Sequence, residues 1–184
     1  MKYKSIGFLA LCYTFNSFAG DNVILYDQVP TKAQLLRDLM PYDNRIMTKS
    51  FGKTRSISPS PCSAPNFQEK IVGITIRFKV NKFNLTPKAR EFADLLGDVL
   101  AADQLLSCDF EIEGHTDSSG SAHHNTRLSK QRANTVVSYL INEHSIDPAR
   151  LKAKGYGEYR LLNGKKYSTD SINRRVQVRN VGKF

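Results

Sequence analysis

Apolar residues along this chain change their spacing several times, and each change marks an element. Ile71, Val72, Ile74, Ile76, Phe78 and Val80 follow the near-alternation of a half-buried strand. Thr86-Pro87 then opens a helix, with Thr86 as N-cap and Pro87 at the first helical position. Ala89, Phe92, Ala93, Leu96, Val99 and Leu100 fall on one face of it. Gly97 within that helix costs roughly 1 kcal/mol against Ala and points to close packing. Phe110, Ile112 and Gly114 alternate with Glu111 and Glu113, a second strand. The loop from Gly114 to Ala122 carries Ser118, Ser119, Gly120 and Ser121, all turn formers. From about Asn125 a second helix places Leu128, Val136, Val137, Leu140 and Ile141 on one face, and it ends near His144-Ser145. Asp147-Pro148 marks a turn, Leu151 to Lys154 a short strand, and Gly155-Tyr156-Gly157 another turn. A polar loop from Arg160 to Ser171 leads to a last alternating strand, Asn173 to Val178. The order strand, helix, strand, helix, strand, strand predicts one α/β domain over 71–184, a normal size for a single core.

The residues ahead of it have a different texture. Lys2 and Lys4, the apolar run Ile6 to Phe15 and Ser17-Phe18-Ala19 predict a secretory signal peptide over 1–19, with residue 20 as the mature start. The apolar run falls short of the ~20 residues of a lasting membrane span. Leu9-Ala10-Leu11-Cys12 approximates a lipoprotein box, but Leu11 stands where a small residue is needed, so a lipid anchor at Cys12 is the minor reading. Residues 20–70 form an N-terminal arm. Within it Thr31 and Gln34 make a capping box ahead of Leu35, Leu36, Leu39 and Met40, so one short helix precedes Pro41. Tyr42 to Pro65 is basic, then rich in Pro and Ser, the composition of a linker. An arm of ~50 residues is too short for an eight-stranded membrane barrel of ~10 residues per strand.

Charge and cysteine narrow the class. The chain carries 27 basic and 17 acidic residues; loss of 1–19 removes two basic and no acidic ones and leaves +8. In an exported chain this balance suits an anionic wall or lipid surface, and no aromatic-basic groove motif supports nucleic acid. With Cys12 gone, Cys62 and Cys108 remain. An even pair in an exported chain predicts a disulfide, with two independent thiols as the alternative.

The segment Phe110 to Leu140 is the part dense enough to carry chemistry. Leu128, Arg132, Val136 and Leu140 are spaced by four, so Arg132 breaks the apolar face close to where the helix meets the body. A half-buried guanidinium needs an acidic partner or a ligand carboxylate. Asp117 is the local acid. Two arrangements stay open: a structural Asp117–Arg132 salt bridge, or two charges held apart that clamp a zwitterion, Asp117 taking an ammonium and Arg132 a carboxylate.

The run G-H-T-D-S-S-G-S, then Asn125, Leu128, Ser129, Arg132, Ala133, Val136 and Leu140, resembles the signature of the OmpA C-terminal domain family, shared by OmpA, Pal and MotB. Phe78, Asn81, Leu85 and Pro87 fit the opening pattern F-x-x-N-x-x-x-L-x-P, and Asn173-Arg174-Arg175-Val176 fits its last strand. The resemblance implies a β-α-β-α-β-β fold, an α+β sandwich whose mixed sheet carries its helices on one face. It implies non-covalent binding of peptidoglycan through the diaminopimelate of the stem peptide, with no cofactor. Asp117 and Arg132 would hold the ligand's ammonium and carboxylate. Asn81, Thr116 and Asn125 would add hydrogen bonds, and Leu128 would line the pocket. Arg174, placed by alternation with Val176 and Val178, would help at the carboxylates. Such a protein would anchor the outer membrane, or an envelope assembly reached through residues 20–70, to the wall from the periplasm. Where a Gly often caps the second helix this chain has Ser145, and His124 replaces a frequent Tyr.

Two other classes of protein compete with this one. A zinc-dependent peptidoglycan hydrolase could use His115, Asp117, His123 and His124, but their spacing fits no metalloprotease helix motif, and His115 reads better as a packed histidine shaping the loop. No Cys/His or Ser/His pair is set for nucleophilic catalysis. A structural subunit of a secretion or motility machine, keeping the fold without wall binding, would be expected to lose Asp117 or Arg132, and both are present.

Overall fold

In the computed structural model residues 12–16, 22–26, 28–41, 61–63, 67–74, 78, 82–162 and 167–184 are described. Nine regular elements follow one another: β1 (Cys12–Asn16), β2 (Asn22–Tyr26), α1 (Lys32–Leu39), β3 (Lys70–Ile74), α2 (Pro87–Leu100), β4 (Asp109–His115), α3 (Ala122–His144), β5 (Leu151–Gly157) and β6 (Val176–Gly182). Their strands make one sheet in the order β1-β2-β3-β6-β4-β5. It is mixed: β6 runs antiparallel to β3 and β4, whereas β2 with β3 and β4 with β5 are parallel pairs. From β3 onward the order is the β-α-β-α-β-β of the expected fold.

The pleat decides what each face does. Val72, Phe110, Ile112, Val176 and Val178 point to one side, where they share a core with Phe92, Leu96 and Leu100 of α2 and Ala133, Val136 and Leu140 of α3. Leu35 and Leu39 of α1 belong to that same core, so all three helices lie on one face. The other face is half apolar and half charged. Val23, Leu25 and Ile71 meet Leu162 there in a small second cluster. Beside it Glu113, fully buried, accepts hydrogen bonds from Arg179 Nε at 2.8 Å and Gln177 Nε2 at 2.5 Å.

Local signals read from the chain recur in the fold. Thr31 and Gln34 form both halves of a capping box. Thr86 accepts from Ala89 N–H, and Pro87 opens α2. A side chain at Gly97 would collide with the His144 ring, which fixes how closely α2 and α3 approach. Ser145 ends α3 in the left-handed conformation (φ 54°) that a Gly would otherwise take. Cys62 and Cys108 are joined, with Cα atoms 5.2 Å apart and a sequence separation of 46.

Several boundaries differ from the sequence reading. The first strand is described over Lys70–Ile74; of its expected continuation to Val80, residues 75–77, 79 and 80 lie outside the described residues. β4 runs through His115, and α3 begins at Ala122 because Ser121, not a residue near Asn125, caps it. β5 continues through Gly155-Tyr156-Gly157, where a turn was expected, and the register shift against β4 falls there. The last strand starts only at Val176, since Ser171–Asn173 is a short 3-10 turn. Residues 20–70 were set apart from the domain as an arm, yet α1 and β2 join the domain's own core and sheet. Residues 1–11 and 17–19 of the predicted leader, 20, 21, 27 and 66 of the arm, and 42–60, 64 and 65 of its predicted linker lie outside the described residues, and Cys12–Asn16 pairs with β2.

Candidate functional site

Where β4 ends, the chain leaves the sheet through Thr116 and Asp117 and turns back into α3. Thr116 N–H donates to the Gly157 carbonyl at 2.8 Å, tying the exit to β5. The Asp117 carboxylate folds over its own loop, accepting from Ser119 N–H at 3.1 Å, a local turn that short acidic side chains favour. Asn125, one turn into α3 and buried, holds the loop from behind. Its side-chain amide donates to the carbonyls of Asp117 (3.3 Å) and Ser119 (3.0 Å) and lies 2.6 Å from Glu158 Oε2. Ser118 exchanges two hydrogen bonds with Ser168, at 2.9 and 2.7 Å, so the loop before β6 is stitched to the loop before α3. Between them a cavity of about 280 Å³ is lined by Ser118, Tyr167, Ser168, Thr169 and Asp170.

Two turns beyond Asn125, Arg132 is 95% buried, as its position on the apolar face predicted. It does not bond to Asp117. Its Nε–H donates to the Lys82 carbonyl at 3.3 Å, and its guanidinium lies 4.7 Å from the centre of the Phe78 ring. No carboxylate of the described residues reaches ion-pairing distance of it. Burial draws its pKa down to about 10, with Asp117 near enough to oppose that fall and Arg174 near enough to add to it. Of the two arrangements left open by spacing, the ligand-free chain therefore has charges that stand apart.

The cation on Asp117 is Arg174. Its Nη1 donates to Asp117 Oδ2 at 2.5 Å, with a longer contact of 3.3 Å to the Thr169 carbonyl. Alternation had placed Arg174 on the strand with Val176 and Val178. Instead it caps the 3-10 turn ahead of β6, and that irregularity is what lets its side chain reach across to the loop. Arg175 is the residue turned inward: it is buried, bonded to Gln177 and to the Arg160 carbonyl, and desolvation lowers its pKa to about 9.

Thr116, Asp117, Asn125, Arg132 and Arg174 thus converge. Leu128 is buried on the same face of α3 but is not part of the core that takes Val136 and Leu140. Asn81 lies outside the described residues; its neighbour Lys82 supplies the carbonyl under Arg132. His115 is fully buried and stacked 5.5 Å from Tyr156. Burial and the Arg175 charge push its pKa down to about 3, Glu113 only partly offsetting them, so it is neutral at pH 7. Among the described residues no group of three His, Cys, Asp or Glu side chains is placed to hold a metal ion. Phe78 beneath Arg132 was read only as part of the opening pattern and of the first strand, and Ser168 opposite Ser118 is announced by no local pattern.

A β-α-β-α-β-β domain with this loop and helix is the OmpA family's: the family model matches residues 77–175, more than half of the chain, and the chain belongs to that family. Among its relatives is outer membrane protein Omp38 of Acinetobacter baumannii, 33% identical over 173 residues, which cover 89% of this chain and 42% of that one. Another is outer membrane porin F of Pseudomonas aeruginosa, 35% identical over 108 residues, 58% of this chain and 30% of the relative. The chain therefore spans less than half the length of these two curated relatives. A solved MotB-like protein from Desulfovibrio vulgaris superposes with a TM-score of 0.53 at 25% identity, covering 63% of this chain and 75% of that one.

Proposed function

We propose that this chain binds peptidoglycan reversibly and without turnover, through the diaminopimelate of the stem peptide. The observation that carries this reading is Arg132: a buried guanidinium with no carboxylate partner among the described residues, in the same site as the buried carboxylate of Asp117. A group bearing an ammonium and a carboxylate on one carbon satisfies both at once, and desolvates both charges together. Thr116, Asn125, Leu128, Asn81 and the loop N–H groups complete the pocket, and Arg174 adds a second cation at the carboxylate. The first nineteen residues act as a secretory leader, which places the domain in the periplasm, associated with the outer membrane. Cleavage after Ala19 would take β1 away and leave β2 at the sheet edge. The edge of β2 so exposed would be the part of residues 20–70 that offers itself to a partner, the outer membrane or a larger envelope assembly.

Co-sedimentation of the purified chain with insoluble peptidoglycan tests the reading. Wild type is expected in the pellet, while Asp117→Ala and Arg132→Ala each remain in the supernatant with unchanged circular dichroism. A folded wild-type chain that stays in solution would make this a fold used for assembly alone.

A further inference from the structure

Asp117 has two carboxylate oxygens, and both are engaged before any ligand arrives. Oδ1 belongs to the loop itself through Ser119 N–H at 3.1 Å. Oδ2 is therefore the position open to an incoming ammonium, and Arg174 Nη1 occupies it at 2.5 Å. The two partners differ in freedom. The Asp117 side chain is 9% exposed and anchored at both ends of its loop, whereas the Arg174 side chain is 47% exposed and reaches in from solvent. Arg174's own backbone is pinned, its N–H bonded to the Ser171 carbonyl at 3.1 Å, so the exchangeable part is the side chain alone.

We infer that Arg174 is the residue that sets ligand selectivity: it stands in for the ligand's ammonium on Asp117, and yields only to a ligand that brings a carboxylate as well. The inference rests on the peptidoglycan reading above. It follows from counting charges in a partly buried site. With no ligand, one carboxylate faces two guanidiniums, those of Arg174 and Arg132. An ammonium alone would displace Arg174 from Asp117, leave its charge with only the Thr169 carbonyl and crowd a third cation around the Asp117 carboxylate. An ammonium accompanied by a carboxylate leaves the charge of the site unchanged, because the displaced Arg174 turns to the new anion together with Arg132. The third residue of a stem peptide is the place where this difference matters chemically. Diaminopimelate carries both groups at its far end, and lysine carries the ammonium only. Without Arg174 nothing has to be displaced, and lysine loses that part of its disadvantage, while the part owed to an unpaired Arg132 remains.

The test is calorimetric titration of the full chain with two synthetic stem tripeptides that differ only in diaminopimelate or lysine at the third position. Wild type is expected to favour the diaminopimelate peptide by about tenfold or more. Arg174→Met is expected to shrink that ratio by roughly two- to threefold without abolishing it, partly through firmer binding of the lysine peptide, since it removes the competitor and one carboxylate contact but leaves Arg132 in place. Arg174→Lys keeps a competing cation and is expected to keep the preference; its melting curve, with that of Arg174→Met, shows that folding is intact. An unchanged ratio in Arg174→Met, or equal ratios in the Met and Lys variants, overturns the inference while leaving the clamp standing. Wild type that binds neither peptide overturns the clamp and the inference with it.

Discussion

Gly114, the sixth residue of β4, lies directly against the backbone of Ser129 in α3. A Cβ at Gly114 would overlap the Ser129 carbonyl, and the atoms it meets are backbone, with no flexible side chain to give way. Gly155 of β5 makes the same approach to Lys130 one residue along, so α3 rests on two adjacent strands through their glycines. Gly114→Ala is expected to lift α3 off the sheet and cost about 1–3 kcal/mol, read from urea denaturation. It should also weaken wall binding below the melting transition, because Asp117 and Arg132 are held on opposite sides of that contact. Stability equal to wild type would show that the helix can shift freely.

His115 makes stability depend on acid. Its folded pKa near 3 lies well below the 6.5 of an unhindered imidazole, and the groups around it are Glu113, Arg175, Arg160 and Tyr156. Between those values the unfolded chain binds more protons than the folded one, so stability falls as pH falls from 6.5 towards 3. Glu113 extends the loss below pH 4.5: burial raises its pKa, but the His115 and Arg179 contacts outweigh burial and hold it at about 2. Between pH 7 and 4.5 wild type is expected to lose on the order of 2–3 kcal/mol through His115, and His115→Gln to lose much less over the same range. Parallel losses in denaturant melts of the two proteins would show that His115 is not the titrating group.

The disulfide is expected to support the fold without touching the ligand. Cys62 and Cys108 close a long loop and are buried at the end of the sheet where β4 starts, away from its Asp117 end. Replacing both with Ala should lower stability by about 2–4 kcal/mol. Peptidoglycan co-sedimentation below the new melting temperature should match wild type, and a loss of binding there would place the bridge in the site's support.

What the chain disclosed in advance was what repeats or caps. The spacing of Leu128, Arg132, Val136 and Leu140 placed a guanidinium at the helix–body boundary, and the structure buries it there. Thr31, Thr86 and Pro87 set helix starts correctly because caps act over three or four residues. Arg174 was misplaced for an equally local reason. Alternation assigns sides only within a strand, and the 3-10 turn at Ser171–Asn173 breaks the count before Val176. The inward turn of Arg175, and of Arg150 onto the carbonyls of Leu100, Leu105 and Cys108, leaves no periodic trace, since each is fixed by partners far along the chain.

The path from the arm to the site has a mechanical reading. β2 lies parallel to β3 and is held by a ladder from Val23–Ile71 to Tyr26–Ile74. A pull on the chain ahead of Asn22, resisted by a wall gripped at Asp117, would load those rungs together in shear; they could not open one at a time like a zipper. Beyond β2 the Cys62–Cys108 bond passes force straight to the base of β4, the strand whose far end carries Asp117. The tether would stiffen along the line on which it is drawn, and α2, which lies between the two cysteines in sequence, would be bypassed by the covalent path.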